Sequence, residues 1–406
     1  MVYVQDIDGK PMMPTTRHGK VRRLLKANKA TVVNLCPFTI QLTYKSTDHK
    51  QPVTLGIDAG AKHIGFSATT EKEELFACET ILRTDIVDLL STRSQNRRTR
   101  RSRLRYRKPK FNNRVFSKKK GWVAPSVKQR IDSHLNEVNE IHKILPITKI
   151  VIEAAQFDTH KMKNPNISGI DYQNGEQLGF WNVREYVLFR DGHKCSYCKG
   201  KSKDLILNIH HIESRKTGGD SPSNLITLCE TCHKEYHKGN IDLKVRRGKS
   251  LCGAAIMGIM KWRLYDELKS RYSNVSMTFG YITKYNRIKY GIEKSHTSDA
   301  FVISKNFNAK RIEYQYLKRL VRRHNRQIHK MKILKGGKKK NNQAPFEVFG
   351  FRLFDKVLYN NEINFIYRRR KSGNFNIRDF NGENPKDVSY KKLKLIRGKR
   401  HPIILK

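Results

Sequence analysis

The stretch from Cys195 to His237 constrains this chain more than any other. It holds Cys195-Ser196-Tyr197-Cys198, then His210-His211-Ile212, Asn224, Cys229-Glu230-Thr231-Cys232-His233 and His237. Two Cys-x-x-Cys pairs supply four thiolates, enough to close a tetrahedral zinc site and leave that metal no open position for chemistry. A plain zinc ribbon separates its pairs by about 15 to 20 residues, whereas thirty residues separate Cys198 from Cys229. Two adjacent histidines and an asparagine have been built into the gap, so any chemistry here falls to imidazoles.

This order of His, Asn and His resembles the HNH nuclease module, a ββα-metal fold in which a zinc-stapled hairpin and helix hold one catalytic metal against a DNA phosphate. Asn208 to Ile212 reads as a short strand, and neighbouring side chains of a strand point to opposite faces. The resemblance gives His210 the metal and makes His211 the base that deprotonates water, a task suited to an imidazole near neutral pH. Asn224 would fix the loop that carries His211. His233 and His237 stand four apart in an expected helix, so they share a face and can converge on the ion held by His210. In the family that ion is of the magnesium type. The competing reading is a structural four-cysteine zinc knob with incidental histidines.

Charge points to the partner. Lys+Arg 83 against Asp+Glu 36 gives a net +47 over 406 residues, which self-repels unless a polyanion neutralises it, and nucleic acid is the expected polyanion. No apolar run approaches the roughly 20 residues of a spanning helix; the best, Leu251 to Met260, is about half that, so no membrane is expected. No signal peptide is expected at the start. Of 7 cysteines, four belong to the zinc motif, and Cys36, Cys78 and Cys252 are scattered singly. A cytoplasmic, nucleoid-associated location in a prokaryote is expected.

Near the start, Pro11-Met12-Met13-Pro14 sits in a turn after the strand-like Val2-Tyr3-Val4, and Lys20 to Lys29 reads as a short basic helix before a Thr31-Val32-Val33 strand. The four-residue segment resembles the Pro-Leu-Met-Pro stretch of IscB proteins, with Met12 replacing the leucine. Val53 to Gly60 then reads as a buried strand delivering Asp58 among residues too small to block a ligand, with Ile64 to Ala68 as its hairpin partner. Lys149 to Glu153 is a second apolar strand ending in an acid. His296-Thr297-Ser298-Asp299 places an imidazole and a carboxylate on one helical face. This set resembles the RuvC-type nuclease, an RNase H-like fold whose acids hold two divalent ions about 3.5 to 4 Å apart. By that resemblance Asp58, Glu153 and Asp299 are metal ligands, and His296 positions or deprotonates the water.

Between these strands lies the densest basic run: Arg93, Arg97, Arg98, Arg100, Arg101, Arg103, Arg105 and Arg107. Arginine favours helix and presents a planar fork to phosphates, so the run suits a nucleic-acid backbone. It resembles the arginine-rich bridge helix of IscB and related RNA-guided nucleases. Val127, Ile131, Leu135, Val138, Ile141 and Ile144 mark an amphipathic helix within 121–148, and Asn164 to Asn174 reads as a polar loop. Val275 to Gly280 reads as a strand, with Phe279 to Thr283 continuing the same sheet. Lys318 to Lys340 reads as an RNA-facing segment, and Phe346 to Ile377 as short strands of a small β-rich domain.

Taken together the chain resembles an IscB-type RNA-guided nuclease with a split RuvC and an inserted HNH. The expected class is α/β and α+β multidomain: an RNase H-like RuvC core of mixed sheet and helices, the arginine helix, a zinc-stapled HNH domain and a small β-rich C-terminal domain. The expected division is 1–52 (N-terminal unit), 53–90, 121–178 and 246–308 (RuvC segments), 91–120 (arginine helix), 179–245 (HNH), 309–345 (basic RNA-interacting segment) and 346–406 (target-adjacent-motif recognition). The resemblance implies a monomeric protein in a ribonucleoprotein with a structured noncoding guide RNA. Its target is double-stranded DNA with a short adjacent motif. HNH would cut the guide-paired strand and RuvC the displaced one. Implied cofactors are Mg2+ (two ions in RuvC, one in HNH, Mn2+ as the substitute) and structural Zn2+. The chain is shorter than a CRISPR effector of the same domain order, so RNA is expected to supply the surface of the recognition lobe. The alternatives are a protein-guided HNH homing or structure-specific endonuclease and a catalytically idle nucleic-acid binder.

Overall fold

The computed structural model describes residues 1–47, 49–103, 121–154, 162, 167–168, 177–214, 219–247, 251–322, 345–398 and 403–405. Expected contacts Arg105 and Arg107, most of the Asn164 to Asn174 loop and most of the Lys318 to Lys340 segment lie outside those residues. The chain divides into two compact units, Met1–Gln156 with Ile256–Lys406, and Phe157–Ala255. Among the described residues no helix is long and apolar enough to cross a membrane.

In the first unit, β1 (Tyr3–Gln5), α1 (His18–Lys26), β2 (Ala30–Leu35) and β3 (Phe38–Leu42) form a small layer in which β3 lies between β1 and β2. Then come β4 (Thr54–Ala59), β5 (His63–Thr69), β6 (Glu74–Ile81), α2 (Ile86–Arg103), α3 (Pro125–His142) and β7 (Lys149–Glu153). The second unit contributes α4 (Val183–Arg190), β8 (Leu207–His211), β9 (Leu225–Cys229) and α5 (Glu230–Lys238). The chain continues with α6 (Cys252–Arg271), β10 (Val275–Thr278), α7 (Gly280–Lys289), α8 (His296–Ser304) and β11 (Tyr316–Arg319). A five-stranded antiparallel sheet follows, built from β14 (Lys356–Tyr359), β15 (Glu362–Arg369), β16 (Asn374–Arg378), β17 (Lys386–Ser389) and β18 (Lys394–Arg397), with the short hairpin β12 (Glu347–Val348) and β13 (Phe351–Arg352) before it. The last strand is β19 (Ile403–Leu405).

The centre of the first unit is a seven-stranded mixed sheet in the order β10-β7-β4-β5-β6-β11-β19. β4 and β5 pair antiparallel, as do β5 and β6, whereas β7 runs parallel to β4 and β10 parallel to β7. Alternation along β4 sorts its side chains. Leu55 and Ile57 are fully buried in the main core with Val127, Ile131, Leu135 and Val138 of α3 and Met257, Met260, Leu264 and Leu268 of α6. Gly56 and Asp58 point to the other face, where α8 packs. The close approach of α8 depends on two glycines: a Cβ at Gly56 would collide with the Ala300 carbonyl, and one at Gly65 with the His296 carbonyl.

Two expectations are corrected. Phe279 to Thr283 does not extend the sheet: β10 stops at Thr278, opposite Glu153 at the end of β7, so there is no strand left to pair with. The chain turns into α7 with Phe279 extended at its N-cap. Lys318 does not face a ligand either. β11 pairs parallel with β6, and Lys318 is buried, its Nζ 3.0 Å from Glu137 Oε2 on α3; a buried lysine persists where a carboxylate compensates it.

Candidate metal centres

The second unit is assembled around its cysteines. α4 starts at Asn182, whose side chain accepts the Glu185 N–H at 3.0 Å, and ends at Arg190, which donates to the Pro222 and Leu225 carbonyls at 2.7 and 2.8 Å. The neighbouring Asp191 accepts the Thr227 N–H at 2.9 Å, tying the knuckle to β9. β8 and β9 form a hairpin in register Leu207 to Cys229 and His210 to Ile226. Cys229 is also the N-cap of α5, and Asp204 accepts the Thr231 N–H at 2.9 Å in the first turn of that helix. Four sulfurs, of Cys195, Cys198, Cys229 and Cys232, lie within 4.8 Å of one another. A hydrogen bond from Ser202 pulls the Cys198 thiol down to about 6, while burial pushes Cys232 far up. Zinc suits this all-thiolate tetrahedral set.

On the same hairpin and helix, His210, His233 and His237 bring one nitrogen each within 4.8 Å of the others. His233 Nε2 and His237 Nε2 are 3.3 Å apart. His210 is buried, and burial, then the other two rings, push its pKa down to about 4. Its Nε2 is buried without a hydrogen-bond partner, an orphan that a metal ion would satisfy. A neutral, convergent imidazole trio fits a divalent cation and favours borderline ions over Mg2+, which prefers oxygen.

His211, next along β8, faces away from the trio. Its Nε2 is 2.9 Å from Asp220 Oδ1, so the carboxylate accepts the Nε2–H and leaves Nδ1 as the nitrogen able to take a proton. Asn224 is fully buried and spends its amide on the connecting loop. Its Oδ1 accepts the Glu213 N–H at 2.9 Å, and its Nδ2 donates to the Glu213 and Gly219 carbonyls at 3.1 and 2.9 Å.

The first unit gathers a second set. Asp58, near the end of β4, accepts from His296 Nδ1 at 2.7 Å. His296 and Asp299 lie in the first turn of α8, capped by Ser295, whose side chain accepts the Ser298 N–H at 3.0 Å. Arg287 of α7 pairs with Asp299 at 3.1 Å. Burial raises the Glu153 pKa, and the charges of Asp58 and Asp299 raise it further. Burial and Asp58 raise Asp299 against the opposing pull of Arg287. The hydrogen bond to Asp58 raises His296. Three carboxylates in one another's field suit a cation between them. Asp58, Glu153 and Asp299 are not among the sets whose ligand atoms fall within 4.8 Å of one another among the described residues, and two bridged ions need a wider frame than one.

Residues 2–175 match the family model described as RRXRR protein, and Arg97-Arg98-Thr99-Arg100-Arg101 spells that pattern. Residues 195–239 match the HNH endonuclease model, which spans the four cysteines and His210, His211, His233 and His237. These two matches support an HNH nuclease of the IscB type.

Its HNH domain supports phosphodiester hydrolysis as the chemistry, and HNH nucleases use divalent metals. The chain is also similar to anaredoxin of Nostoc sp., 29% identical over 66 residues, 16% of this chain and 84% of that protein. Among solved structures it is similar to Streptococcus thermophilus Cas9 in complex with the GGAA PAM, at 14% identity and a TM-score of 0.34, covering 51% of this chain and 30% of that one. It is similar too to the Type II-C Cas9 of Actinomyces naeslundii, at 12% identity and a TM-score of 0.26, covering 63% and 60%. The chain thus spans at most about three-fifths of the length of these Cas9 chains.

Sequence reasoning missed Asp220, Arg287, His63 and Glu79. His63 Nδ1 lies 2.7 Å from Glu79 Oε1, and the His63 ring stacks on His296 with centroids 5.1 Å apart and planes at 7°. Their only sequence signal is alternation on β5 and β6, which does not reveal who sits opposite whom. Arg93 and Arg97 are exposed on α2, which also carries Arg98, Arg100, Arg101 and Arg103.

Proposed function

We propose that this protein is an RNA-guided endonuclease that cuts both strands of a DNA duplex, one at each centre. The observation that carries the reading is the coexistence, in one chain, of the His210, His233 and His237 trio beside His211 and of Asp58 and Glu153 on the mixed sheet with His296 and Asp299 on the helix packed against it. The sheet order, with β4 central, β5 antiparallel to it and β7 parallel, supports an RNase H-like RuvC core. Its segments would be 53–90, 121–178 and 246–308, with the HNH domain over 179–245.

In the HNH domain, His210, His233 and His237 would hold one divalent ion, and His211 Nδ1 would take the proton from the attacking water while Asp220 holds the ring in the required tautomer. The ion supplies charge neutralisation at the scissile phosphate and at the leaving oxygen. Asn224 keeps the loop after His211 closed. On the sheet, Asp58, Glu153 and Asp299 would hold two Mg2+ or Mn2+ ions and His296 would orient the water. HNH would cut the guide-paired strand and RuvC the displaced one.

The arginines of α2 and the net charge of +47 support a structured RNA as the resident partner and a heteroduplex gripped through its backbone. The C-terminal sheet would read a short target-adjacent motif, and the ribonucleoprotein would work at the nucleoid. The experiment is expression with flanking genomic DNA. A discrete RNA should copurify, and addressed cleavage should require it. Site-specific cutting by RNA-free protein would instead favour a homing or structure-specific endonuclease.

A further inference from the structure

The row of residues across β4, β5 and β6 contains more donors than the sheet centre uses. Asp58 lies opposite Gly65 on β5, and Gly65 lies opposite Glu79 on β6, so the three share one face in a line. His63, two residues before Gly65, falls on the same face. The backbone of His296 rests on Gly65 because no Cβ stands there. His296 is therefore set between two groups, Asp58 on β4 and the His63–Glu79 pair on β5 and β6.

His63, Glu79 and His296 each bring one ligand atom within 4.8 Å of the others. All three are reachable from solvent, with side-chain exposures of 38%, 20% and 42%. Two imidazoles and a carboxylate are the donor set of borderline divalent ions such as Zn2+, not of Mg2+. Two nitrogens bound to one zinc at about 2.0 Å sit about 3.3 Å apart in a tetrahedron, so small side-chain rotations close this set. His296 has two ring nitrogens, one of them on Asp58, so an ion held here occupies a nitrogen that the proposed water-orienting role needs.

We propose that His63, Glu79 and His296 form a third, inhibitory site for a borderline divalent cation, filled by Zn2+ in preference to Mg2+, which ties up His296 and halts the sheet centre. This rests on the proposed role of that centre in cutting one strand; the site itself does not.

The test uses the full chain with its four-cysteine zinc in place, as wild type, His63→Ala and Glu79→Gln, each checked for an unchanged melting profile. Glu79→Gln keeps the side-chain shape should His63→Ala fail to fold. Cobalt titration followed by its visible absorption should show each variant binding one ion fewer than wild type. In strand-labelled cleavage with Mg2+, added Zn2+ should slow one strand by at least about 10-fold in wild type. Each variant, referred to its own zinc-free rate, should lose that sensitivity. Equal cobalt binding by all three proteins overturns the site, whatever the strand assay reads. One ion lost with zinc inhibition unchanged overturns the inhibitory role. A wild type that never cuts the second strand would count against the two-centre reading, and the cobalt titration would still decide the site.

Discussion

Asp58 Oδ2 lies 2.7 Å from His296 Nδ1 although 238 positions separate them in the chain. The contact joins the end of a central strand to the first turn of a helix that can approach only where the sheet lacks side chains, at Gly56 and Gly65.

Gly65→Ala is accordingly expected to lift the start of α8 from the sheet. A displacement of about 1 Å at a catalytic group can cost roughly 100-fold, so the strand cut at the sheet centre should be spared by about that factor while the HNH cut continues. Gly258→Ala, in α6 with nothing within 4 Å of the new Cβ, is the control and should leave both rates unchanged. Strand-labelled cleavage rates check this.

Removing one thiolate should dismantle the HNH domain alone. Cys229 is at once a sulfur of the four-cysteine set and the N-cap of α5, which carries His233 and His237. Cys229→Ser should therefore lose one tightly held zinc and the HNH cut, because the metal's binding energy is folding energy in such modules. Metal analysis showing undiminished zinc in the variant would contradict the assignment.

Asp220→Ala addresses the tautomer of His211. The pair is solvent-accessible, with side-chain exposures of 30% and 48%, so its loss should be milder than loss of the imidazole itself. We expect a decrease of about 10-fold to 100-fold in the HNH cut with zinc content unchanged. A rate equal to wild type would remove Asp220 from the mechanism.

Two histidines of the first unit predict acid sensitivity. Burial pushes His134 and His142 down to about 4. His134 Nδ1 lies 2.8 Å from the Arg130 carbonyl, and the His142 ring stacks on Tyr272. Both stay neutral in the fold while the unfolded chain takes up protons. From the unfolded value near pH 6.5 down to pH 4, stability should therefore fall as pH falls, by up to about 1.4 kcal/mol per pH unit for the fully buried His134. Hydrogen exchange of the β4 and β5 amides across that range measures it, and His134→Gln should flatten the slope.

Much of the site was legible in the sequence because strand ends and motif spacings are local. Asp58, Glu153, His210 and the four cysteines are found that way. His63 and Glu79 were not, because their meeting is set by the register of β5 on β6, two residues off the direct pair. Asp220 pairs with His211 across a loop that no periodicity describes. Phe279 to Thr283 misled because its aromatics suit a strand, and only the end of β7 at Glu153 decides that no partner remains. Lys318 misled because a basic run reads as solvated until Glu137 is seen beneath it.

The most direct test of two independent centres is strand-specific nicking of a supercoiled plasmid carrying the target. His211→Ala removes the proton acceptor of the HNH domain, worth about 100-fold or more, and Asp58→Ala removes a carboxylate of the sheet centre. Each single variant should nick, and end-labelling should show opposite strands cut. The double variant should bind the target and cut neither strand. If His211→Ala still linearises the plasmid at the wild-type rate, or both single variants nick the same strand, the two-centre account is wrong.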